Sequence, residues 1–412
     1  MGSFSSPLSG LTAAQANLQS VSNNLANIDT DGYKDQTLTF SDVFSQSGAT
    51  NGSGDPVQTG SGVAISSTST DYTEGALDTT GTASNMAISG NGFFITQGTT
   101  GVQGYTRAGD FTTNSAGDLV TTNGELVLGF PAVNGVVNTS AALQPLQVGG
   151  LTSPAVASTM VGITANLDSS TAVGSTATSS TLSIYDSLGT AHTLTVSYTK
   201  TAANTWTYTA SIPSADITGG VGTDTTVGSG TLNFDSTGKL TSTTNAVPIA
   251  ISNLVDGAAS MAVSGPFGTA ASPTITQTSL ASATSATTTD GLASGTLSSY
   301  SVNTDGTIQG TFSSGKSLAL GQVAVASFAN VQGLTNASNN NLEPTAASGP
   351  AVVGIAGTGG RGTIIGGSVE QSNVDIAAEF AKLIQAQQAY SANAKSVTTF
   401  NQLSQATLAM LQ

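Results

Sequence analysis

The sequence predicts a mainly β protein with an α-helix at each end, the two helices pairing as in a coiled coil and two β-rich domains nested between them in a discontinuous arrangement. Three observations predict it. Apolar residues at both ends recur in alternating steps of three and four, the middle is written in short Thr/Ser/Gly-rich runs with alternating apolar positions, and turn residues punctuate those runs.

The first helix is expected from about Pro7 or Leu8, because proline is tolerated in a first turn. Leu11, Ala14, Leu18, Val21, Leu25 and Ile28 form its apolar stripe, narrow enough to be buried by one other helix. Asn27, Asp29, Asp31 and Gly32 supply the chemistry that ends it. Residues 33–73 read as irregular, and GATNGSGDPVQTGSG (48–62) has a linker's composition, so an extended or mobile connector is expected there.

Strands are then expected around Met86 and Ile88, at Phe93, Phe94 and Ile95, over 105–111, and at Leu119 and Val120 after a turn at 114–117. A second β region alternates Leu182 and Ile184, turns at 186–189, and continues with Leu194, Val196 and Tyr198, then Trp206, Tyr208 and Ala210, the signature of a meander with one apolar face. ASATSATTTDGL (281–292) is poor in bulky apolar residues and reads as a loop or domain crossing. Strands return at 300–302, 308–312 and 318–328, and a Gly-rich stretch over 354–367 leads to the last helix, where Ser372 and Asp375 stand at capping-box spacing. That helix carries Ile376, Phe380, Leu383, Gln387, Tyr390, Ala394 and Val397, with the rhythm resuming in another phase through Phe400, Leu403, Met410 and Leu411. The implied domains are a terminal helical assembly domain (1–30 and 370–412), an extended connector (31–74), an inner β domain (75–149 and 292–369) and an outer β domain (150–291).

Composition narrows function. Charged residues are 8% of the 412, against roughly a quarter in a typical domain, so Ser, Thr, Asn and Gln clothe the surface, which suits packing against copies of the same chain. Eight basic against 23 acidic residues give −15, which argues against nucleic acid and anionic lipid as partners. With no Cys there is no disulfide, thiolate metal site or Cys nucleophile. No apolar run suits a cleaved signal or spans a bilayer, so membrane insertion is not expected and any export uses another route. Met1, Gly2 and Ser6 fit a myristoylation pattern, but the residues beyond them continue a helix.

Candidate chemistry is thin. His192, the one histidine, shares a strand face with Leu194, Val196 and Tyr198 and reads as structural, with no local companions for a metal site or a Ser-His-Asp relay. Gly357, Gly359 and Gly362 satisfy G-x-G-x-x-G, yet β-branched Thr363, Ile364 and Ile365 follow where a dinucleotide site needs a helix. Asp110, Asp186, Asp305 and Glu343 sit in turn-like sequence, where a carboxylate bonds its own backbone. Arg107 reads as an ion-pair partner of Asp110 or of a second subunit. No catalytic residue, metal or cofactor is assigned. The stripes of Leu11, Leu18, Val21, Leu25, Ile28, Ile376, Phe380, Leu383, Tyr390, Val397, Leu408 and Leu411 are the candidate self-assembly residues. Polar faces bearing Gln15, Asn23, Asn24, Gln385, Gln388 and Asn393 are expected to point away from them.

The segment SNNLANIDTDGYK (22–34), with Asn24, Asn27, Gly32 and Tyr33 in its turn, resembles the N-terminal signature of the flagellar axial proteins, the rod, hook and hook-associated family. GGSVEQSNVDIAAEFAKLIQAQQAYSANAK (366–395) is similar to the other end of that family. AISGNGFF (87–94) and YTRAGDF (105–111) resemble the inner β domain shared by rod and hook subunits, while IYDSLGTAHTL (184–194), LNFDSTGKL (232–240) and DGTIQGTFSSGKSLALGQVAVASFANVQGL (305–334) are hook-like. The chain departs from the pattern at Asp29 and Asp31, where Asn and Thr are commoner, and at Gln387 and Gln388, where a basic residue is common.

The resemblance implies an exported, non-enzymatic subunit that polymerises into a curved tube joining rod to filament, its terminal helices lining an export channel. It also implies contacts with distal rod, hook cap and hook–filament junction proteins and with the flagellar export apparatus, and an extracellular place reached without a cleaved signal. A distal rod subunit is the nearest alternative, and a secreted β-rich adhesin or glycan-binding module is one from another class. Because isolated helices with such narrow stripes are marginal in water, the ends are expected to gain order only on assembly.

Overall fold

The computed structural model describes residues 5–50, 56–244, 248–268 and 272–410. At the amino terminus α1 (Ser5–Ala26) forms, and at the carboxyl terminus α2 (Ile376–Met410), 35 residues without Gly or Pro and rich in Ala and Gln, both strong helix formers. Asp375 caps α2 by accepting from the amides of Ala377 (2.8 Å) and Ala378 (3.0 Å). Ser372 is therefore not the cap; its hydroxyl accepts from Val374 one turn too early. Among the described residues no helix is long and apolar enough to cross a membrane.

The expected connector is not irregular. β1 (Gln36–Thr50) and β2 (Pro56–Thr70) form a long antiparallel hairpin with Gln36 opposite Thr70 and Phe44 opposite Gly60. Bulges interrupt its register between Thr39 and Phe40 and between Val43 and Phe44. A two-stranded ribbon is marginal alone, and this one leans on α1. The Val63 amide donates to Ser9 Oγ at 3.2 Å, and Ser20 Oγ donates to the Gln36 carbonyl at 2.9 Å. Gly62 makes the approach possible, since a Cβ there would lie 1.9 Å from Ser9 Oγ. The centre of the expected linker, 51–55, lies outside the described residues.

The chain divides into two units: Gly150–Ser299 with Thr311–Ser317, and the remainder, which includes both helices and the hairpin. In the latter a mostly antiparallel path runs from Ser317–Ser327 through Leu126–Val133, Phe93–Gln97 and Gln103–Thr106 to Leu342–Glu343. Both faces of this sheet are covered. Phe94, Val127, Val323 and Val325 pack with Met86, Phe111 and Ile364 on one side, while Phe93, Ile95, Tyr105, Leu128 and Ala324 pack on the other. That is why its strands read as continuous apolar runs instead of alternating ones. The Gly-rich stretch also holds strands, Val352–Ile355 and Thr363–Gly366, the second paired with Met86–Ser89.

The other unit is a five-stranded meander (Thr176–Tyr185, Ala191–Ala202, Thr205–Pro213, Asp224–Phe234 and Leu240–Thr244) and a three-stranded sheet whose centre is Val161–Asp168. Their inner faces share one core around Trp206, Tyr198, Leu194, Ile163 and Leu167. Trp206 keeps its indole N–H satisfied by Gln277 Oε1 at 2.7 Å. The stretch read as a loop at 281–292 contains the strand Ala283–Thr289, antiparallel to Val161–Asp168. Its Thr residues are β-branched and suit an edge strand without being apolar.

Candidate assembly site at the helix junction

α1 and α2 pack antiparallel. Asn24 Nδ2 donates to Glu379 Oε2 at 3.3 Å, and Gly10 faces Asn393, whose Oδ1 would lie 3.0 Å from a Cβ at that glycine. Both contacts fit one register, which sets Ser5 opposite residue 398. At 1.5 Å per residue α2 therefore runs about 18 Å beyond the described part of α1, over residues 399–410.

The seam is lined by small and polar groups. Ala13, Ala14, Val21 and Asn24 are buried on α1, and Glu379 and Ala386 on α2. Leu11, Leu18, Leu25 and Ile28 are half-buried, as are Leu383 and Val397. Ile376, Phe380, Tyr390, Leu403, Leu408 and Met410 are exposed, with Phe380 at 48% and Leu408 at 62%. The buried stripe of α2 thus runs in a different phase from the predicted one, and an unpredicted Ile384 joins its outward apolar set. Asn24 and Asn393, expected to point outward, face the seam instead. Leu411 lies outside the described residues.

The turn after α1 is where the helices meet the β structure. Asn27 donates its amide to the carbonyls of Asn23 (3.2 Å) and Asn24 (3.1 Å), closing the helix. Gly32 has φ of +70° and its amide donates to the Glu370 carbonyl at 2.6 Å. A Cβ there would stand 2.4 Å from the Ala108 amide nitrogen, so only glycine fits. Tyr33 is buried and donates its hydroxyl to Asn24 Oδ1 at 3.0 Å, which also accepts from the Gln36 amide at 3.1 Å. Burial, with the Asp35 and Glu379 carboxylates behind it, pushes the Tyr33 phenol up to about 12, so it stays a donor at any physiological pH. Asn24 Nδ2 reaches Asp35 and the Gln36 carbonyl, and Lys382 Nζ closes the ring to Glu379 (2.5 Å) and Asp35 (3.6 Å).

Beneath this lies a second cluster. Glu370 is wholly buried between Lys34 Nζ at 2.5 Å and Arg107 Nη1 at 3.2 Å, and its Oε1 also accepts from the Gly75 amide at 3.0 Å. Lys34 donates to the Thr73 carbonyl, and Arg107 to the carbonyls of Ile88 and Gly90. Burial pushes the Lys34 ammonium down from its usual range even though Glu370 pulls it up. Arg107 therefore pairs with Glu370 and not with Asp110, whose carboxylate accepts from Thr122. Glu370 and Glu379 escaped the sequence reading; the available signal was two acids flanking the SNVD turn in a chain with few charges.

Elsewhere the expected turns appear. Asp186 Oδ1 accepts from Leu188 and Thr190, and Asp305 Oδ1 from Thr307. The G-x-G-x-x-G run is a hairpin bend closed by Gly357 N–H to the Gly362 carbonyl at 2.8 Å, with a strand after it and no helix N-terminus for a phosphate. His192 has companions that local sequence did not reveal. Asp186, His192 and Asp256 hold donor atoms within 4.8 Å of one another, and both ring nitrogens of His192 face carboxylates.

From one end to the other, the chain is similar to subunits of the bacterial flagellum. Residues 7–34 match the family described as flagella basal body rod protein, 87–166 the flagellar hook protein FlgE/F/G D1 domain, 151–292 the flagellar basal body protein FlaE D2 domain, and 365–410 the flagellar basal body rod FlgEFG protein C-terminal. The chain is 33% identical to the flagellar hook protein FlgE of Salmonella typhimurium and 32% identical to that of Escherichia coli, each match covering 97% of this chain and 98% of the relative. The FlgE of Borreliella burgdorferi is 33% identical over 98% of both chains. The crystal structure of Helicobacter pylori flagellar hook protein FlgE2 aligns with 70% of this chain and 98% of its own, with a TM-score of 0.47 and 17% identity. The chain belongs to the flagellar hook protein FlgE family, a family of structural proteins and not of enzymes.

Proposed function

We propose that this chain polymerises with copies of itself into the flagellar hook and acts mechanically, as the bendable tube that carries torque from rod to filament. The outward apolar side chains of α2 carry this reading. Ile376, Phe380, Ile384 and Tyr390 are exposed although α1 lies alongside, and residues 399–410 extend past the described part of α1. Such a stripe is costly in water and gains when sister chains bury it. Leu11, Leu18, Val21, Leu25, Ile28, Leu383 and Val397 support the helix pair from within, and the turn at Asn24, Asn27, Gly32 and Tyr33 sets its angle to the β structure. Membership of the FlgE family and the match over 151–292 favour hook over distal rod, which would lack most of that region.

Finer expectations rest on this reading. The subunit would leave the cell unfolded by the flagellar export apparatus, without a cleaved signal, and would meet distal rod, cap and junction proteins at the ends of the tube. Exposed neutral side chains such as Gln15 and Gln388 suit a channel wall that does not hold passing chains. The test is a double substitution, Phe380→Asp with Leu408→Asp, under conditions where the native chain polymerises. Sedimentation and negative-stain microscopy should find monomers with an unaltered β circular-dichroism spectrum. Tubes formed as readily as by the native chain would overturn the proposal.

A further inference from the structure

His192 is the chain's one histidine, and it is buried in the unit that holds the five-stranded meander. Its strand, Ala191–Ala202, sets it opposite Ile184. The ring is held at both nitrogens: Nδ1 lies 2.9 Å from Asp216 Oδ2, and Nε2 lies 3.2 Å from Asp186 Oδ2. A neutral imidazole has one N–H and one lone pair, so it would satisfy one carboxylate and present its lone pair to the other. Only the imidazolium donates to both.

The two carboxylates belong to different loops. Asp186 is fully buried in the turn that precedes the histidine strand, its other oxygen committed to the amides of Leu188 (2.8 Å) and Thr190 (2.9 Å). Asp216 ends the single 3-10 turn Ser214–Asp216, and its carbonyl accepts from Val255 at 3.0 Å, which ties that turn to the segment carrying Asp256. Asp256 adds a third carboxylate beside Asp186 and His192. Among the described residues no Lys or Arg forms an ion pair with any of the three, so His192 is the cation of the group.

We infer that His192 is a proton-loaded clamp: when protonated it binds the 186–189 turn to the 214–216 turn and its 253–256 neighbour, and when it loses its proton the clamp opens. Burial pushes the imidazole down, but the hydrogen bonds and charges of Asp216 and Asp186 outweigh it and raise it above its ordinary 6.5. A group raised on folding lends its stability fully below the unfolded value, and that stability is lost as pH climbs through the folded one. For Asp186, burial pushes up while hydrogen bonding shared with the Asp256 carboxyl group, and accepted from His192 and the Thr190 and Leu188 amides, pulls down, to about 2. Its share is therefore present above 3.8 and is lost as pH falls towards 2. The clamp is closed from weakly acid to near-neutral pH and opens on the alkaline side.

The single histidine makes the test clean in the full-length monomer, whose imidazole gives one set of nitrogen resonances after histidine-selective labelling. At pH 6 both ring nitrogens should be protonated, with a titration midpoint above 6.5. The thermal transition of this unit should fall as pH rises through that midpoint, and in His192→Gln it should be flat over the same range. Should that variant not fold, Asp216→Asn keeps the fold's other contacts and should lower the midpoint. A neutral tautomer at pH 6, a midpoint at or below 6.5, an unmoved midpoint in Asp216→Asn, or parallel pH dependence in the native chain and His192→Gln would each overturn the clamp.

Discussion

Glu370 binds two cations that come from distant parts of the chain, Lys34 in the turn after α1 and Arg107 in the β structure. Such a triad adds little net stability over apolar packing, but removing one member strands the rest. Glu370→Ala should therefore cost about 3–5 kcal/mol in the unfolding transition of the unit that contains it, read by chemical denaturation of the monomer. A loss under about 1 kcal/mol would mean that water already reaches Lys34 and Arg107. The cluster was only half legible in the sequence. The turn motif at Asn24 to Tyr33 stood out, because Asn, Asp and Gly carry local turn chemistry. Asn24 was assigned to an outward polar face because its partners Tyr33, Gln36 and Glu379 are brought to it by the fold and leave no mark on helical periodicity.

At the level of elements, α2 should show a gradient. Near the junction it is capped by Asp375, packed at Ala386 and tied through Glu379, whereas every residue over 401–410 is exposed. Amide exchange in a verified monomer should be slow over 379–386 and at Val21 to Asn24 of α1, and fast over 399–410. Uniform protection to the end of the helix would contradict it. This narrows the expectation that both ends lack order until assembly, since an intramolecular seam supports the roots of both helices. The elements best read from sequence were those with strong apolar contrast, such as Leu194, Val196 and Tyr198 on one strand face. β1, β2 and the strand Ala283–Thr289 were misread because Ser and Thr dominate them. Their stability comes from pairing with a partner strand, and one-dimensional hydrophobicity is blind to that.

For the molecule as a whole, each unit has its own core: Trp206 and its neighbours in one, the two faces around Phe93 and Phe94 in the other. Replacing residues 150–289 by a short flexible linker should leave the helix junction and the sheet around Phe93 and Phe94 folded and still allow tubes to form. Their curvature, seen by electron microscopy, should change. A truncated chain that keeps its β spectrum yet never polymerises would show that the unit built around Trp206 is needed for assembly itself.

The unequal helices have one further consequence. Because α2 outruns the described part of α1 by about 18 Å, the two extremities of the helix pair are chemically unlike, one a prong exposing Leu403, Leu408 and Met410 and the other a polar root. Contacts between unlike patches add chains head to tail and, when the rotation does not close, give an open spiral instead of a sealed ring. A filament built that way has a direction, because the face awaiting the next molecule differs from the face already attached.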